Sequence, residues 1–411
     1  MNDALSACHD VFRHWLGQAY DLDALDAVLA VAATERLGGD PPWLLVVSGS
    51  GNAKTETVAS LGGIGAYITS TIASEGALLS ASSKKEQAKD ATGGLLRRIG
   101  DRGLLVVKDF TSIISMSRDA RASVLAALRE VYDGKWERNV GTDGGRTLTW
   151  EGRIVMVGAV TTAYDSAHAV IASMGDRFAL VRVDSGAGSS RLAAGRQALA
   201  NVNLEQNMRL ELSGAVIVLM EQMDPERANL TDEDMDTLLQ VADLVTLART
   251  AVERDYRGDV IEAHAPEMPT RFAKMLGQII RGGLAIGMER NHALAVAVRV
   301  AGDSMPPLRL LILQDIAEFP GSRTTDVRKR LQRPHNTVDR ELQALHVLGL
   351  LVQAEAPGTG WTYSLADVIE PQALKLLAFS RFGCMQTRGT TEVDQEVCVQ
   401  VQPNLENALP L

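Results

Sequence analysis

Cysteine is scarce in this chain of 411 residues: Cys8, Cys384 and Cys398 lie far apart, and their number is odd. There is no CxxC pair and no cluster of cysteine with histidine, which excludes a disulfide scaffold or a structural zinc as the organising element. No run of about eighteen apolar residues occurs, and residues 1–15 lack the pattern of a secretory signal. We therefore expect a cytoplasmic protein with no membrane partner.

Aromatic residues make up only 4% of the chain, which disfavours a single-strand binder built on rows of stacking rings. Lysine and arginine number 41 against 51 aspartates and glutamates, a net charge of -10. This balance excludes coating of nucleic acid by overall charge, so any DNA contact must come from a local basic patch. Apolar residues at 46% indicate an ordinary globular composition, and the length suits two or three domains.

The hydrophobic pattern divides the chain into five segments. In chain order they are a helical lead-in at 1–40, an α/β core at 41–185, a unit of helices alone at 190–303, a helix-turn-helix segment with a hairpin at 305–367, and a disordered tail at 383–411. In the second segment strands alternate with helices, which predicts a parallel sheet. The predicted strands are Trp43–Val47, Leu104–Val107, Ile154–Val157 and Ala179–Val183.

A phosphate-binding loop is predicted directly after the first of these strands. Its residues are Ser48, Gly49, Ser50, Gly51, Asn52, Ala53, Lys54 and Thr55. A loop between a strand and a helix points backbone N–H groups at phosphate oxygens, with the positive end of the helix behind them. In this pattern Lys54 reaches the terminal phosphates and Thr55 holds Mg²⁺. Ser48 and Ala53 stand where GxxxxGK[ST] has glycine, and an ordinary Gly/Ser turn is the alternative.

A second motif favours a bound nucleotide. The apolar run Leu104–Val107 is followed by Lys108 and Asp109. An aspartate at the end of a strand beside the phosphate loop binds Mg²⁺ through water, whereas a strand that simply ends in a solvated aspartate is the alternative. The two motifs, in this order and about fifty residues apart, predict ATP and Mg²⁺ as cofactors.

Three further stretches extend the pattern: VKDFTSI at 107–113, LREVYDG at 128–134 and GDRF at 175–178. With them, the first 300 residues resemble AAA+ ATPases. More narrowly they resemble the P-loop proteins of phage-like and integrated bacterial elements, related in style to replicative helicases. The resemblance implies an α/β P-loop NTPase core of AAA+ type, an all-helical lid and a homo-oligomer.

One position departs from this family. A glutamate usually follows the Walker B aspartate and activates the attacking water, but here Phe110 takes its place. Thr111 and Ser112 could position water, yet neither is a base near neutral pH. ATP binding is therefore better supported than ATP hydrolysis.

The resemblance also implies three catalytic residues outside the loop. Thr161, with Thr162 as the second choice, is the sensor 1 candidate after the third predicted strand, and a turn-forming threonine is the alternative. Arg177 stands where such ATPases place an arginine finger that reaches a neighbouring subunit, and a surface salt bridge is the alternative. Arg271 opens a helix in the manner of a sensor 2 arginine, or caps or packs that helix.

Residues 135–150 alternate on either side of an Asp-Gly-Gly turn, which predicts a β-hairpin. In superfamily 3 and minichromosome-maintenance helicases, a hairpin in this topological position projects into the DNA channel. The resemblance makes Lys135, Arg138 and Arg146 candidate phosphate contacts, with Trp136 or Trp150 packing or stacking. Acidic residues nearby, Glu137, Asp143 and Glu151, weaken the electrostatic case.

The C-terminal segment reads as three helices, Leu308–Glu318, Thr324–Leu331 and Thr337–Leu348, with a hairpin returning at Trp361–Leu365. It resembles the winged helix of ArsR/MarR-type regulators. Residues 323–340 include six basic and two acidic side chains, the local excess of positive charge that DNA binding requires. The candidate DNA-binding residues are Arg328, Arg330, Arg333, His335, Asn336, Thr337 and Arg340. A winged helix used for protein contacts is the alternative.

These observations lead to one main hypothesis and two alternatives. The chain is expected to be an ATP-binding, AAA+-type protein that acts on DNA, a helicase-like replication ATPase of a mobile genetic element. The first alternative is a nucleotide-sensing winged-helix regulator without sustained hydrolysis, which Phe110 favours. The second is an assembly protein that uses both units for protein contacts and never touches DNA.

Overall fold

Five parallel strands form the central sheet of the computed structural model, which describes residues 3–51, 53–81, 93–141, 144–173, 177–183, 189–356 and 360–378. The expected tail at 383–411 lies outside the described residues. The strands are β1 Trp43–Val47, β2 Tyr67–Thr69, β3 Arg102–Val107, β4 Lys135–Val140, β5 Arg146–Glu151, β6 Arg153–Val160, β7 Ala179–Arg182, β8 Val252–Arg254, β9 Val260–Ala263, β10 Leu351–Ala356 and β11 Gly360–Leu365.

The α-helices of the N-terminal half are α1 Asp3–Leu16, α2 Leu22–Ala33, α3 Lys54–Ala59, α4 Glu75–Leu78, α5 Leu95–Ile99, α6 Thr111–Ile114, α7 Arg118–Tyr132, α8 Ala163–Ser173 and α9 Ser189–Ala200. Those that follow are α10 Glu205–Glu221, α11 Asp232–Ala248, α12 Pro269–Ala285, α13 Arg290–Asp303, α14 Pro307–Glu318, α15 Thr324–Arg330, α16 His335–Val347 and α17 Pro371–Ala378. Short 3₁₀ turns lie at Thr34–Arg36, Ser60–Ile64 and Pro225–Arg227.

The sheet has the order β2-β3-β6-β1-β7, and every neighbouring pair is parallel. The predicted α/β class with a parallel sheet is thereby confirmed. All five residues of β1 and all four of β7 are buried, as expected for strands covered by helices on both faces. The edge strand β2 escaped the sequence reasoning because it is only three residues long and partly exposed.

Side chains from the end of α13 close the other edge of the sheet. Ser304 Oγ accepts a hydrogen bond from the backbone N–H of Leu180 at 2.9 Å, and Asp303 Oδ2 accepts one from Arg182 at 2.7 Å. Unpaired N–H groups of an edge strand are a template for aggregation unless something covers them. Helix α13 therefore both protects β7 and fixes its own position against the sheet.

The segment at 190–303 was predicted to contain helices alone, and this prediction was wrong. Helix α11 ends at Ala248, and the antiparallel pair β8–β9 lies between α11 and α12. The turn that joins the two strands contains Gly258, whose φ of +87° suits glycine and not a helix. The lead-in is helical as expected, and Gly17, at φ +102°, separates its two helices α1 and α2.

A buried carboxylate links three helices. Asp26 on α2 is fully buried, and its two oxygens lie 2.6 Å from His9 Nε2 of α1 and 2.7 Å from His292 Nε2 of α13. Asp23 and His292 lie close enough to Asp26 to share a metal ion with it, but both oxygens of Asp26 are already engaged by imidazoles. The hydrogen bond from His292 to Asp26 raises the pKa of this histidine, against the opposing effect of burial.

We expect His292→Ala to destabilise the protein more under acidic than under alkaline conditions. A histidine whose pKa is higher in the folded state stabilises the fold below its ordinary pKa of about 6.5, and this contribution is lost as the pH rises through the folded-state value. Thermal unfolding at about pH 5.5 and about pH 8.5 would measure the difference. The matched control is His335→Ala on the exposed start of α16; equal losses of Tm by His292→Ala at both pH values would contradict the expectation.

Candidate functional site

The carboxyl ends of three neighbouring strands carry the predicted nucleotide-binding residues. Strand β6 lies between β1 and β3, and all three run parallel. The phosphate loop follows β1, Asp109 comes two residues after β3, and Thr161 directly follows β6. Since parallel strands end at the same edge, these groups share one crevice, the usual ligand position in an open α/β sheet.

The phosphate loop leaves the sheet through a buried serine. The backbone N–H of Ser48 donates to the Val160 carbonyl at 3.2 Å, which holds the start of the loop to β6. Gly51 has φ +86°, and Ala53, directly before α3, has φ +53°. A left-handed alanine costs about 1 kcal/mol, which explains why the pattern has glycine there. Asn52 lies outside the described residues.

Lys54 folds back over this loop. Its Nζ donates to the carbonyl oxygens of Ser48 at 3.3 Å and Gly49 at 3.0 Å. Partial burial lowers the pKa of Lys54, and the negative charge of Asp109 opposes that shift. The ammonium group is thus within electrostatic reach of the predicted Mg²⁺ ligand Asp109, while Thr55, the other predicted ligand, is exposed at the start of α3.

The segment that carries Asp109 is held from both sides. Its backbone N–H donates to Ser70 beyond β2 at 2.9 Å, and its carbonyl accepts from Ser112 Oγ at 2.8 Å. The Asp109 side chain is exposed and available to a ligand in solution. The backbone of Asp109 is therefore fixed, while its side chain is exposed.

Thr161 has a partner that the sequence reasoning did not assign. Thr111 Oγ1 accepts a hydrogen bond from the Thr161 N–H at 2.9 Å and donates to Thr161 Oγ1 at 3.4 Å. Thr111 begins α6, directly after Asp109 and Phe110. Thr161, which follows β6, is thereby hydrogen-bonded to the segment that follows β3 and carries Asp109. The motif DFT gave only a local signal for Thr111, because its partner lies fifty residues away.

Phe110, which replaces the expected glutamate, is a core residue. Its side chain is fully buried, and its ring lies 5.1 Å from that of Phe178 in an edge-to-face arrangement. Its N–H donates to the Ala159 carbonyl at 2.8 Å. A side chain at this position therefore points into the apolar interior and not toward the crevice.

Phe110→Glu is expected to unfold or strongly destabilise the protein instead of supplying a catalytic base. It would remove a packed ring and bury a carboxylate, a loss of at least about 3 kcal/mol. Chemical denaturation would measure this loss, with Phe110→Leu as the control that keeps the site apolar and costs about 1 to 2 kcal/mol. A well-folded Phe110→Glu variant with raised ATP turnover would show that the position faces the crevice.

Arg177 and Arg271 lie at the opposite, amino edge of the sheet. Arg177 forms an ion pair with Asp133 at 2.9 Å and lies over the ring of Tyr132, which packs against Trp43, the first residue of β1. Burial raises the pKa of Tyr132 to about 12, and the charges of Arg271 and Arg177 oppose this shift, so both guanidinium groups are near the same ring.

This placement corrects the expectation that Arg271 holds the nucleotide of its own chain from above. Arg271 pairs with Glu267 at 3.2 Å. The five residues of β1 alone separate the two edges by about 16 Å, so the side chain does not reach the phosphate loop of the same chain. This position could not be predicted, because the motif that opens α12 does not indicate which edge of the sheet that helix approaches.

The predicted hairpin at 135–150 is confirmed as β4–β5, but most of its candidate contacts are engaged within the chain. Trp136 and Trp150 are buried, so they pack and do not stack on a ligand. Arg138 donates to Glu75 and to the Leu79 carbonyl, each at 2.7 Å, so its guanidinium is engaged within the chain. Lys135, paired with Glu137 at 3.1 Å, and Arg146 are exposed on the two strands. Asp143 lies outside the described residues.

At the C-terminus, α14, α15 and α16 are followed by the antiparallel pair β10–β11. Helix α16 begins at His335, two residues earlier than predicted, and buries Val338, Leu342 and Leu345 as expected. Its start is the exposed part: Arg333, His335, Asn336 and Thr337 are all exposed, and Arg328 on α15 is half-buried. The exposed end of a helix is the part that can enter a groove of DNA.

Two predicted DNA contacts are instead bound within the chain. Arg330 donates twice to Asp315, each at 2.7 Å, and its guanidinium lies 4.4 Å from the ring centre of Phe319. Arg340 donates to the carbonyl of Arg257 in the β8–β9 turn. Both partners are distant in sequence. A count of local charges therefore could not show that these two arginines have partners within the chain.

No protein-family model and no curated protein matches the chain. None of the helices in the described ranges combines the length and apolar character needed to cross a membrane. Two surfaces of the chain offer sites for a ligand: the crevice at the carboxyl edge of the sheet and the exposed start of α16.

Proposed function

We propose that the chain is an ATP-binding protein of AAA+ type that acts on duplex DNA, in the replication or maintenance of a mobile genetic element. One observation carries the proposal: Lys54, Asp109 and Thr161 follow three adjacent parallel strands at the same edge of the sheet. A cation, a carboxylate and a hydroxyl around a glycine-containing loop are what a Mg²⁺ triphosphate requires.

The residues present fit such a ligand. Lys54 is held by two loop carbonyls, so its ammonium group is already positioned above the loop and can exchange these bonds for phosphate oxygens. Asp109 and Thr55 are exposed and would hold Mg²⁺. Thr161, fixed by Thr111, would donate to or accept from groups at the terminal phosphate. When bound, Mg²⁺ neutralises charge on the phosphates.

The positions of Arg177 and Arg271 support a homo-oligomer. Both lie near Tyr132 at the amino edge, away from their own phosphate loop. An arginine that cannot reach the nucleotide of its own chain can still complete the site of a neighbour, as arginine fingers do. In this arrangement the Arg177–Asp133 ion pair would open or rearrange on assembly.

The exposed start of α16 supports duplex DNA as the second ligand. Asn336 is suited to the edge of adenine in the major groove, and Arg333 to phosphate. Both side chains are exposed at the same end of the helix. The C-terminal unit would serve as a winged helix-turn-helix that places the ATPase on DNA.

A regulator that senses nucleotide without sustained hydrolysis is the second candidate. The burial of Phe110 favours it, because the position that usually supplies the catalytic base is part of the core. In that case ATP binding would change assembly and DNA affinity, and turnover would be negligible. Helicase action requires that another group activates water.

Lys54→Ala is expected to weaken Mg-ATP binding by about tenfold to a hundredfold, the value of hydrogen bonds to charged groups. Isothermal titration calorimetry would measure it, with Lys375→Ala on the exposed face of α17 as a control for the lost charge. Turnover measured with and without DNA then separates the two candidates, since DNA-stimulated hydrolysis lost in Lys54→Ala supports the motor. Absence of Mg-ATP binding by the well-folded wild type would refute the nucleotide site.

Arg333→Ala and Asn336→Ala are expected to affect DNA binding differently. Loss of Arg333 should weaken all duplexes alike, whereas loss of Asn336 should reduce the preference for a site selected from random duplexes by about 1 to 3 kcal/mol. Fluorescence anisotropy measures both, with Gln372→Ala on α17 as the polar control. If the wild type binds no duplex at moderate salt, the C-terminal unit serves protein contacts instead.

A further inference from the structure

The β8–β9 hairpin, which the sequence reasoning missed, has a tightly organised tip. Asp255 Oδ1 accepts hydrogen bonds from the backbone N–H groups of Arg257 at 2.8 Å and Asp259 at 2.9 Å. The carboxylate of Asp255 is therefore used by the turn itself. The tip presents Tyr256 and Arg257 outward in a fixed backbone conformation.

Two contacts fix this hairpin against the middle of α16. Arg340 donates to the Arg257 carbonyl, and its guanidinium lies against Gly258, whose φ of +87° favours glycine. Arg254 pairs with Glu341 at 2.7 Å, and Arg309 of α14 binds the other oxygen of Glu341 at 2.9 Å. The hairpin and the helix therefore form one continuous surface in which the charge of Glu341 is compensated.

The tip exposes an aromatic and a cationic side chain together. Tyr256 is 89% exposed, more than any other large apolar or aromatic side chain in the described part of the chain. The guanidinium of Arg257 lies 5.2 Å from the centre of this ring, and its Nε donates to the Tyr256 hydroxyl at 2.8 Å. The two side chains contact each other, and both remain exposed to solvent.

The position of the pair relates it to the DNA-reading residues. Arg340, which holds the tip, lies four residues after Asn336, so one helical turn of about 5.4 Å separates them along α16. By contrast, the segment 351–365 that forms β10–β11 contains no lysine or arginine. Of the two hairpins beside α16, β8–β9 therefore carries a basic side chain at its exposed end, and the hairpin that follows the helix does not.

Building on the proposed DNA binding, we propose that Tyr256 and Arg257 form a second contact to the duplex, on the sugar-phosphate backbone beside the groove that the start of α16 enters. Arginine and tyrosine are common donors to phosphate and carry no sequence information in that role. Glu253 and Glu262 face each other across the strands, farther along the hairpin, whereas the exposed Asp259 lies at the tip itself. The contact is therefore confined to the side chains of Tyr256 and Arg257. The contact would position the duplex on the ATPase body, since β8–β9 lies between α11 and α12.

The test measures duplex binding by fluorescence anisotropy across a salt series for the full chain. Arg257→Ala should weaken every duplex by about three- to tenfold and lower the slope of log K against log salt by about 0.9, the value for one phosphate. Tyr256→Ala should also weaken binding, whereas Tyr256→Phe, which keeps the ring, should lose less. Arg227→Ala, an exposed arginine on the 3₁₀ turn Pro225–Arg227 next to α12, removes the same charge elsewhere and should change neither quantity.

The outcomes separate this inference from the function on which it rests. If the wild type binds no duplex, the proposed DNA function fails. If the wild type binds and Arg333→Ala weakens it, but Arg257→Ala and Tyr256→Ala equal the Arg227→Ala control, the second contact is refuted and the function stands. Tighter binding by the tip variants would also refute it, because the hairpin would then shield α16. Circular dichroism confirms that each variant is folded.

Discussion

Parallel strand order is the constraint on which the candidate site depends. In a parallel sheet every strand delivers its carboxyl end to the same edge, whatever the distance between the strands along the chain. Residues that follow β1, β3 and β6 are therefore brought together although they lie far apart in the sequence. The buried, β-branched strands need helices on both faces, and α2 and α13 supply part of that cover.

The same constraint explains which parts of the structure could be predicted. Trp43–Val47 was recognisable because an uninterrupted apolar run after a Pro-Pro pair is typical of a buried strand, and the sheet edge then located the loop beside Asp109. Short strands such as β2 and β8, each of three residues, are too short to show a recognisable alternation of apolar and polar residues. Their positions depend on partners far away in the chain.

Charged residues were the least predictable group. Arg138, Arg330 and Arg340 were predicted to contact DNA. Each of them is bound to a carboxylate or carbonyl of its own chain. A sequence shows that a charge is present, but only tertiary structure shows whether that charge has already been compensated. Phe110 illustrates the reverse case, since it occupies the position of the catalytic glutamate and is part of the core.

The attachment of α13 to the sheet has a mechanical consequence. Asp303 and Ser304 hold the edge strand β7, and α14 begins at Pro307, so a linker of only a few residues joins the sheet to the C-terminal helices. So short a joint leaves the C-terminal helices little room to swing on their own. A displacement of β7 would therefore change the orientation of the C-terminal helices, which would move together with the sheet.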